Sequence, residues 1–291
     1  MDRLPFRLVD VFAAEPLSGN GLAVVVTGQA LEGQLMQRLT QELRQFETIF
    51  LTPANGPGQF RARVYTMEEE LDFAGHPVIG AAAVLHETYA WGEPKESWAV
   101  ELNLQSVSVK TRWNDDHVAV TMRQGEPQFL SSVDHSLEAE FLKAFGLTAD
   151  DRDRGLPMEV VTTGLPYLIV PVVAPGLAKA CICIPDLEER LAQVGAKFAY
   201  VLDAESREGR TWDNAGKIED IATGSAAGPV AGFLAKHGLA DADDEIILRQ
   251  GRFVGRPSEM RLRWDSEGVS LSGEVRMVAS GEFDPAVFAE A

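Results

Sequence analysis

Three ionisable residues stand beside two short turns of small residues. Glu47 lies in Phe46-Glu47-Thr48-Ile49-Phe50 and His76 in Ala74-Gly75-His76-Pro77. Asp220 lies five residues before Ser225, in a run that continues Ala222-Thr223-Gly224-Ser225-Ala226-Ala227-Gly228-Pro229. A carboxylate among apolar neighbours loses hydration, which raises its pKa toward neutrality and suits it to general acid/base work. An imidazole in the first turn of a helix can reach a ligand held at that helix end. Taken singly, each has an ordinary reading: Glu47 as a surface or ion-paired glutamate, His76 as a cap of its own turn, Asp220 as a complement to a helix dipole, and Ser225 as an N-cap. Their grouping beside two similar turns marks them as a candidate site.

Those turns need elements to hold them. Each opens an Ala/Gly-rich apolar helix, running into Ala81–Leu85 in one case and Val230–Leu234 in the other. Such helices can sit deep in a structure, and their first-turn N–H groups and positive dipole end make an anion site. Upstream, Phe6–Phe12 and Leu22–Val26 read as strands, and Leu31, Leu35, Leu39 and Leu43 stripe an amphipathic helix of about 15 residues. Glu47–Leu51 and Phe60–Tyr65 follow as strands. Val100, Leu102 and Leu104 alternate with polar residues, as do Val118, Val120 and Met122, which predicts half-buried antiparallel strands.

The order then repeats. Val160–Val173 carries a turn and strand, and Asp186–Val194 reads as a helix with a capping pair, Asp186 and Glu189, stopped by Gly195. Phe198–Leu202 and Gly209–Asp213 are strands, and the Gly224 turn leads into the second buried helix, which ends at Gly238. Strands at Glu245–Gln250, Met260–Trp264, Val269–Leu271 and Val275–Val278 complete the copy. Between the copies, Ser136–Phe145 is a helix closed by Gly146, and the charged stretch Thr148–Pro157 reads as an exposed loop. Identity between the copies is thin: from Gly75 and Gly224 onward only Gly75/Gly224, Ala82/Ala231 and Leu85/Leu234 match over the central helices. Many short strands around one apolar helix per half predict two sheets, each curled about its helix.

The 291 residues suit two domains, with boundaries expected at 1–125 and 126–278 and the tail 279–291 available to the first. A net charge of −18 opposes nucleic acid or an anionic membrane as partner. No apolar run reaches membrane-spanning length and no leader pattern is seen, so the expected location is cytoplasmic. The two cysteines, Cys181 and Cys183, alternate around Ile182, which on a strand puts both on one face, poorly placed for a disulfide. No metal site is expected: two thiols do not complete one, and the histidines lack zinc spacing. Gly-x-Ser-x-Gly, Gly-x-Gly-x-x-Gly and P-loop patterns are absent, against a serine hydrolase or a nucleotide fold.

These motifs together resemble the PhzF family, the phenazine-biosynthesis-like isomerases of the diaminopimelate epimerase fold. The likeness runs through Val9-Asp10-Val11-Phe12, Ser18-Gly19-Asn20, Glu47-Thr48, Phe73-Ala74-Gly75-His76-Pro77, Glu219-Asp220, Ala222–Pro229, Gln250-Gly251 and Gly255-Arg256-Pro257-Ser258. It implies an α+β protein of two pseudo-symmetric domains, each a mostly antiparallel β-barrel around a central helix. It further implies a site in the interdomain cleft, no cofactor and a homodimer. It assigns general acid/base catalysis to Glu47 and substrate binding or polarisation to His76, Asp220 and Ser225. Gly75 and Gly224 supply backbone donors, and Asn20 joins the substrate-binding set.

Related epimerases use two opposed cysteines, whose positions here are Ala74 and Thr223. A lone carboxylate carries a proton along one face, from one carbon to another. The expectation is therefore one-base isomerisation of a small amino or hydroxy carboxylic acid. The alternatives are an amino-acid epimerase or racemase of the same fold, or an idle small-acid binding protein. Phe46, Met67, Asp72 and Gly21 depart from the usual family residues and alter the pocket wall, leaving the acid itself open.

Overall fold

The computed structural model describes residues 3–72, 74–241 and 244–288; Phe73, part of the motif before the first turn, and the tail beyond 288 lie outside the described residues. The chain divides into two compact units, Met1–Arg123 with Ser272–Ala291, and Gln124–Leu271.

In the first unit, β1 (Leu4–Val11) and β2 (Asn20–Val26) pair antiparallel. Helix α1 (Gly33–Leu43) then crosses to β3 (Glu47–Pro53), which lies parallel to β2. The leucine stripe is real but the helix has 11 residues, because Arg44 enters the left-handed region and ends it. Next come β4 (Gln59–Tyr65) and the short β5 (Glu70–Leu71), both antiparallel to their predecessors. Helix α2 (His76–Tyr89) crosses to β6 (Lys95–Glu101), parallel to β4. Strands β7 (Ser106–Trp113) and β8 (Val118–Gly125) follow as an antiparallel meander. The C-terminal part of the chain's last strand, from Ser272, lies beside β8 and pairs with β1, so eight strands close into a barrel. Every residue of α2 from His76 to His86 is buried, which is why that helix is apolar on all sides. Helix α1 instead packs outside, where Leu31, Leu35, Met36 and Leu39 meet Val25, Phe50 and Tyr65.

The second unit repeats the pairing logic. Strand β9 (Gln128–Ser132) is followed by α3 (His135–Ala144), whose N-cap Asp134 accepts from the Ser136 N–H. Strands β10 (Glu159–Thr162) and β11 (Pro166–Pro171) are antiparallel neighbours. Helices α4 (Ala174–Lys179) and α5 (Leu187–Gln193) cross to β12 (Phe198–Asp203), parallel to β11 as β3 is to β2. After β13 (Glu208–Arg210), helix α6 (Gly224–Lys236) crosses to β14 (Glu245–Gln250), parallel to β13 as β6 is to β4. Strands β15 (Ser258–Asp265) and β16 (Gly268–Phe283) end the chain. Helix α6 packs on β10, β11 and β15 and is buried from Ala226 to Leu234, while α3, α4 and α5 cover the outside of β10–β12. The architecture is α+β, one mostly antiparallel barrel around a central apolar helix in each unit.

Several local expectations are corrected. Leu104 is 74% exposed because β6 ends at Glu101 and the chain turns, with Leu102 N–H donating to Gln105 O. Asp186 makes no side-chain cap; its backbone leaves the extended region that capping needs, and its carboxylate accepts from Arg190 at 3.0 Å. The charged stretch 148–157 is not simply exposed: Asp151 and Arg152 are buried, Asp151 bonded to Thr148 and Lys179, and Arg152 to Glu138. Val269–Leu271 and Val275–Val278 belong to one strand, β16. Gly273 inside it marks a close approach rather than a turn, since a Cβ there would sit 2.3 Å from the Phe12 ring.

Close approach also governs α2. A Cβ on Gly80 would lie 2.4 Å from Leu22 Cδ2 and 2.9 Å from Val11 Cγ2. Gly80→Ala should therefore destabilise the protein by about 1–3 kcal/mol through overpacking, despite alanine's better helix propensity. Urea unfolding should show a lower midpoint with an unchanged slope; a neutral or stabilising result contradicts this packing.

Candidate active site

In the first unit, Glu47 is the first residue of β3 and His76 the first of α2. Pro77 follows at the helix start, where its missing N–H costs nothing. Glu47 Oε2 lies 3.6 Å from His76 Nε2, and both side chains are almost wholly buried. Burial pushes the His76 imidazolium down to about 3, so the ring is neutral at physiological pH. The contact is thus a carboxyl group facing a neutral imidazole rather than an ion pair. His76 Nε2 and the neighbouring Thr48 Oγ1 are buried with no hydrogen-bond partner, so polar capacity is concentrated here. Asn20, fully buried, opens β2 two positions before Leu22, the register partner of Glu47. Gly75 is the N-cap of α2 and provides no side-chain cap of its own. Phe46 is 37% exposed beside Glu47.

In the second unit, Thr223 is the N-cap of α6, Gly224 its first residue and Ser225 its second, so Ser225 is not the cap. The Ser225 hydroxyl instead meets Tyr167 Oη at 2.7 Å. The Thr223 hydroxyl donates to Asp220 Oδ2 at 2.5 Å, and the Asp220 N–H donates to Thr211 O. The preceding residue, Glu219, is clamped by Arg210 through two hydrogen bonds of 2.9 and 2.6 Å. That guanidinium lies over the rings of Trp212 and Phe253, 4.8 and 4.4 Å from their centroids.

Gln250, which sequence reasoning left without a role, ties this end together. Its Nε2 donates to Asp220 O at 2.8 Å and Thr223 Oγ1 at 3.0 Å. Its Oε1 accepts from Thr223 N at 3.2 Å and Tyr200 Oη at 3.1 Å. Because the amide donates to Thr223 Oγ1, the threonine proton is left to point at Asp220. Gln124 adds a bond from Nε2 to Gly224 O at 2.7 Å. The sequence signal for Gln250 was its place in the Gln250-Gly251 motif; its partners depend on strand register.

So the structure brings Glu47, His76 and Gly75 together in one unit, and Asp220, Gly224 and Ser225 together in the other. Among the described residues no three His, Cys, Asp or Glu side chains form a group able to hold a metal, and no helix is long and apolar enough to cross a membrane.

Two outcomes follow from these environments. Below about pH 6.5 the unfolded chain protonates His76 while the folded one does not, so its contribution to stability is lost as pH falls toward 3. Between pH 7 and 4.5 that loss should be about 2–3 kcal/mol. Urea unfolding of His76→Gln should be less pH-dependent by this amount; an equal dependence would mean His76 is not held neutral. Gln250→Leu should cost about 1–3 kcal/mol for each buried group it leaves unpaired. A variant as stable as the wild type would show that the network carries no weight.

Comparisons with known proteins bear on the family and the fold. A family model described as phenazine biosynthesis-like protein, PhzC-PhzF, matches residues 9–281. The trans-2,3-dihydro-3-hydroxyanthranilate isomerase of Pseudomonas aeruginosa is 32% identical over 297 residues, covering 95% of this chain and 98% of its own. The solved structure of a predicted epimerase from Pseudomonas aeruginosa matches with a TM-score of 0.91 at 45% identity, over 96% of this chain and 99% of that one. A probable proline racemase from Agrobacterium radiobacter K84 matches at TM-score 0.61 and 15% identity over 98% and 95% of the two chains, a likeness of fold alone. The chain belongs to the phenazine biosynthesis-like PhzF family and is a PhzF-like isomerase.

Proposed function

We propose that this isomerase moves a proton within a small amino or hydroxy carboxylic acid, using Glu47 as its single acid/base and requiring no cofactor. The observation that carries the reading is the buried Glu47–His76 pair at 3.6 Å with a neutral imidazole. A neutral ring beside the carboxyl group can give or accept a hydrogen bond without neutralising the base by an ion pair. In the step, Glu47 takes a proton from one carbon, the electron pair of that C–H bond delocalises into adjacent unsaturation, and the acid form returns the proton to a second carbon on the same face. Developing negative charge is stabilised by first-turn N–H groups at Gly75 and His76, oriented donors that need no reorganisation. Asp220, Gly224 and Ser225 are proposed as substrate-binding groups, and Asn20 is given the same role.

The curated relative from Pseudomonas aeruginosa acts on trans-2,3-dihydro-3-hydroxyanthranilate, a cyclic amino-hydroxy acid, and the same chemical class is proposed here. Phe46 beside Glu47 narrows which member of that class is accepted. The likeness to a predicted epimerase keeps a two-base reading in view. Against it, the two turns present Ala74 and Thr223, neither of which exchanges a proton as a thiol does.

The test is solvent deuterium entry and product formation with trans-2,3-dihydro-3-hydroxyanthranilate and a panel of small amino and hydroxy acids. Glu47→Gln should lower the rate by about 10²–10⁴-fold, the usual worth of a general acid/base. Transposition of a proton between carbons supports the proposal. Exchange with inversion at one carbon supports an epimerase instead, and an unchanged rate in Glu47→Gln removes Glu47 from the chemistry.

A further inference from the structure

Between α4 and α5 the chain runs Cys181-Ile182-Cys183-Ile184. The sequence places both thiols on one face, and the structure keeps that alternation without a strand. Ile182 and Ile184 pack inward on the core covered by α3–α5, while Cys181 and Cys183 are exposed. The segment is pinned from below: the Cys181 N–H donates to Phe145 O at 3.1 Å and the Cys183 N–H to Ala144 O at 2.8 Å, both at the end of α3. Gly146 lies directly under the two sulfurs, where a Cβ would come within 3.0 Å of Cys183 Sγ and 3.3 Å of Cys181 Sγ. Its φ of +66° favours glycine as well. The result is a pair of thiols with Sγ atoms 3.4 Å apart, open to solvent on an anchored backbone. Hydrogen bonding between the two sulfurs raises the Cys183 thiol above the ordinary cysteine range, so neither the pairing nor the setting makes it an activated nucleophile.

We propose that Cys181 and Cys183 form a surface dithiol site that chelates a thiophilic trivalent centre of the arsenical class. Two adjacent soft sulfurs suit such a centre, which brings its remaining ligand with it and so needs no third protein donor. With an organic arsenic(III) oxide, two As–S bonds form, the As–O bonds break, and the two thiol protons leave with the oxide oxygen as one water. No oxidation state changes. The second As–S bond closes intramolecularly, so retention should exceed that of a single thiol by about 10²–10⁴-fold.

The chain holds only these two cysteines, which makes the measurement clean. The full-length native protein is treated with phenylarsine oxide and examined by intact mass spectrometry. The wild type should take up one equivalent, with the mass of the reagent less one water. It should keep it against excess monothiol and lose it to a dithiol. Cys181→Ser and Cys183→Ser, both at exposed positions, should lose it to monothiol at least about 100-fold faster. A wild-type adduct stripped by monothiol as readily as in the single variants overturns the proposal. So does uptake of two equivalents, which would show two independent thiols.

Discussion

The structure depends on burying a polar helix end inside an apolar barrel. Helix α2 can occupy the centre of its unit because the residues between His76 and His86 are small or apolar on every side. That leaves its first turn as the place where polarity must be handled away from water. Stranding an imidazole there is costly for the charged form, and the ring responds by staying neutral. A carboxyl group 3.6 Å away shares the same dry environment. The chemistry proposed for Glu47 follows from that constraint: it works beside a group that can hydrogen-bond but does not cancel its charge.

The other unit solves the same problem with a different inventory. The start of α6 lacks a side-chain cap, yet its surroundings are braced from several strands. Gln250 reaches it from β14, Tyr200 supports Gln250 from β12, and Tyr167 holds Ser225 from β11. Arg210 fixes Glu219 beside Asp220. Buried networks of this kind are worth most when every member is satisfied, and the Gln250 amide is bonded at both ends. The repeated topology thus carries two unlike helix ends, one beside a buried carboxyl–imidazole pair and the other braced by the Gln250 network; the proposed function gives proton transfer to the first and the holding of a polar ligand to the second.

Much of this was legible in the residues because the signals are local. Small residues followed by an apolar run mark both central helices, and Glu47 and His76 stand next to the elements that place them. What escaped was non-local. Gln250 gains its partners only when β14 is in register with its neighbours. The capping reading of Ser225 failed because the helix begins two residues earlier than a serine cap requires, with Thr223 at the N-cap. The charged stretch around Asp151 and Arg152 looked exposed because composition does not reveal which charges are paired. Val269–Leu271 and Val275–Val278 read as two strands, whereas they are one unbroken β16 in which Gly273 admits the Phe12 ring.

Folding holds His76 neutral beside Glu47. The most direct test is a ¹⁵N NMR titration of the His76 imidazole in the native protein. The ring should stay neutral, in one tautomer, from pH 8 down to about 4, with protonation only near pH 3 or on unfolding. A ring that titrates near 6.5 would contradict it, because folding would then not oppose its charge and the pair would become an ordinary ion pair below about that pH.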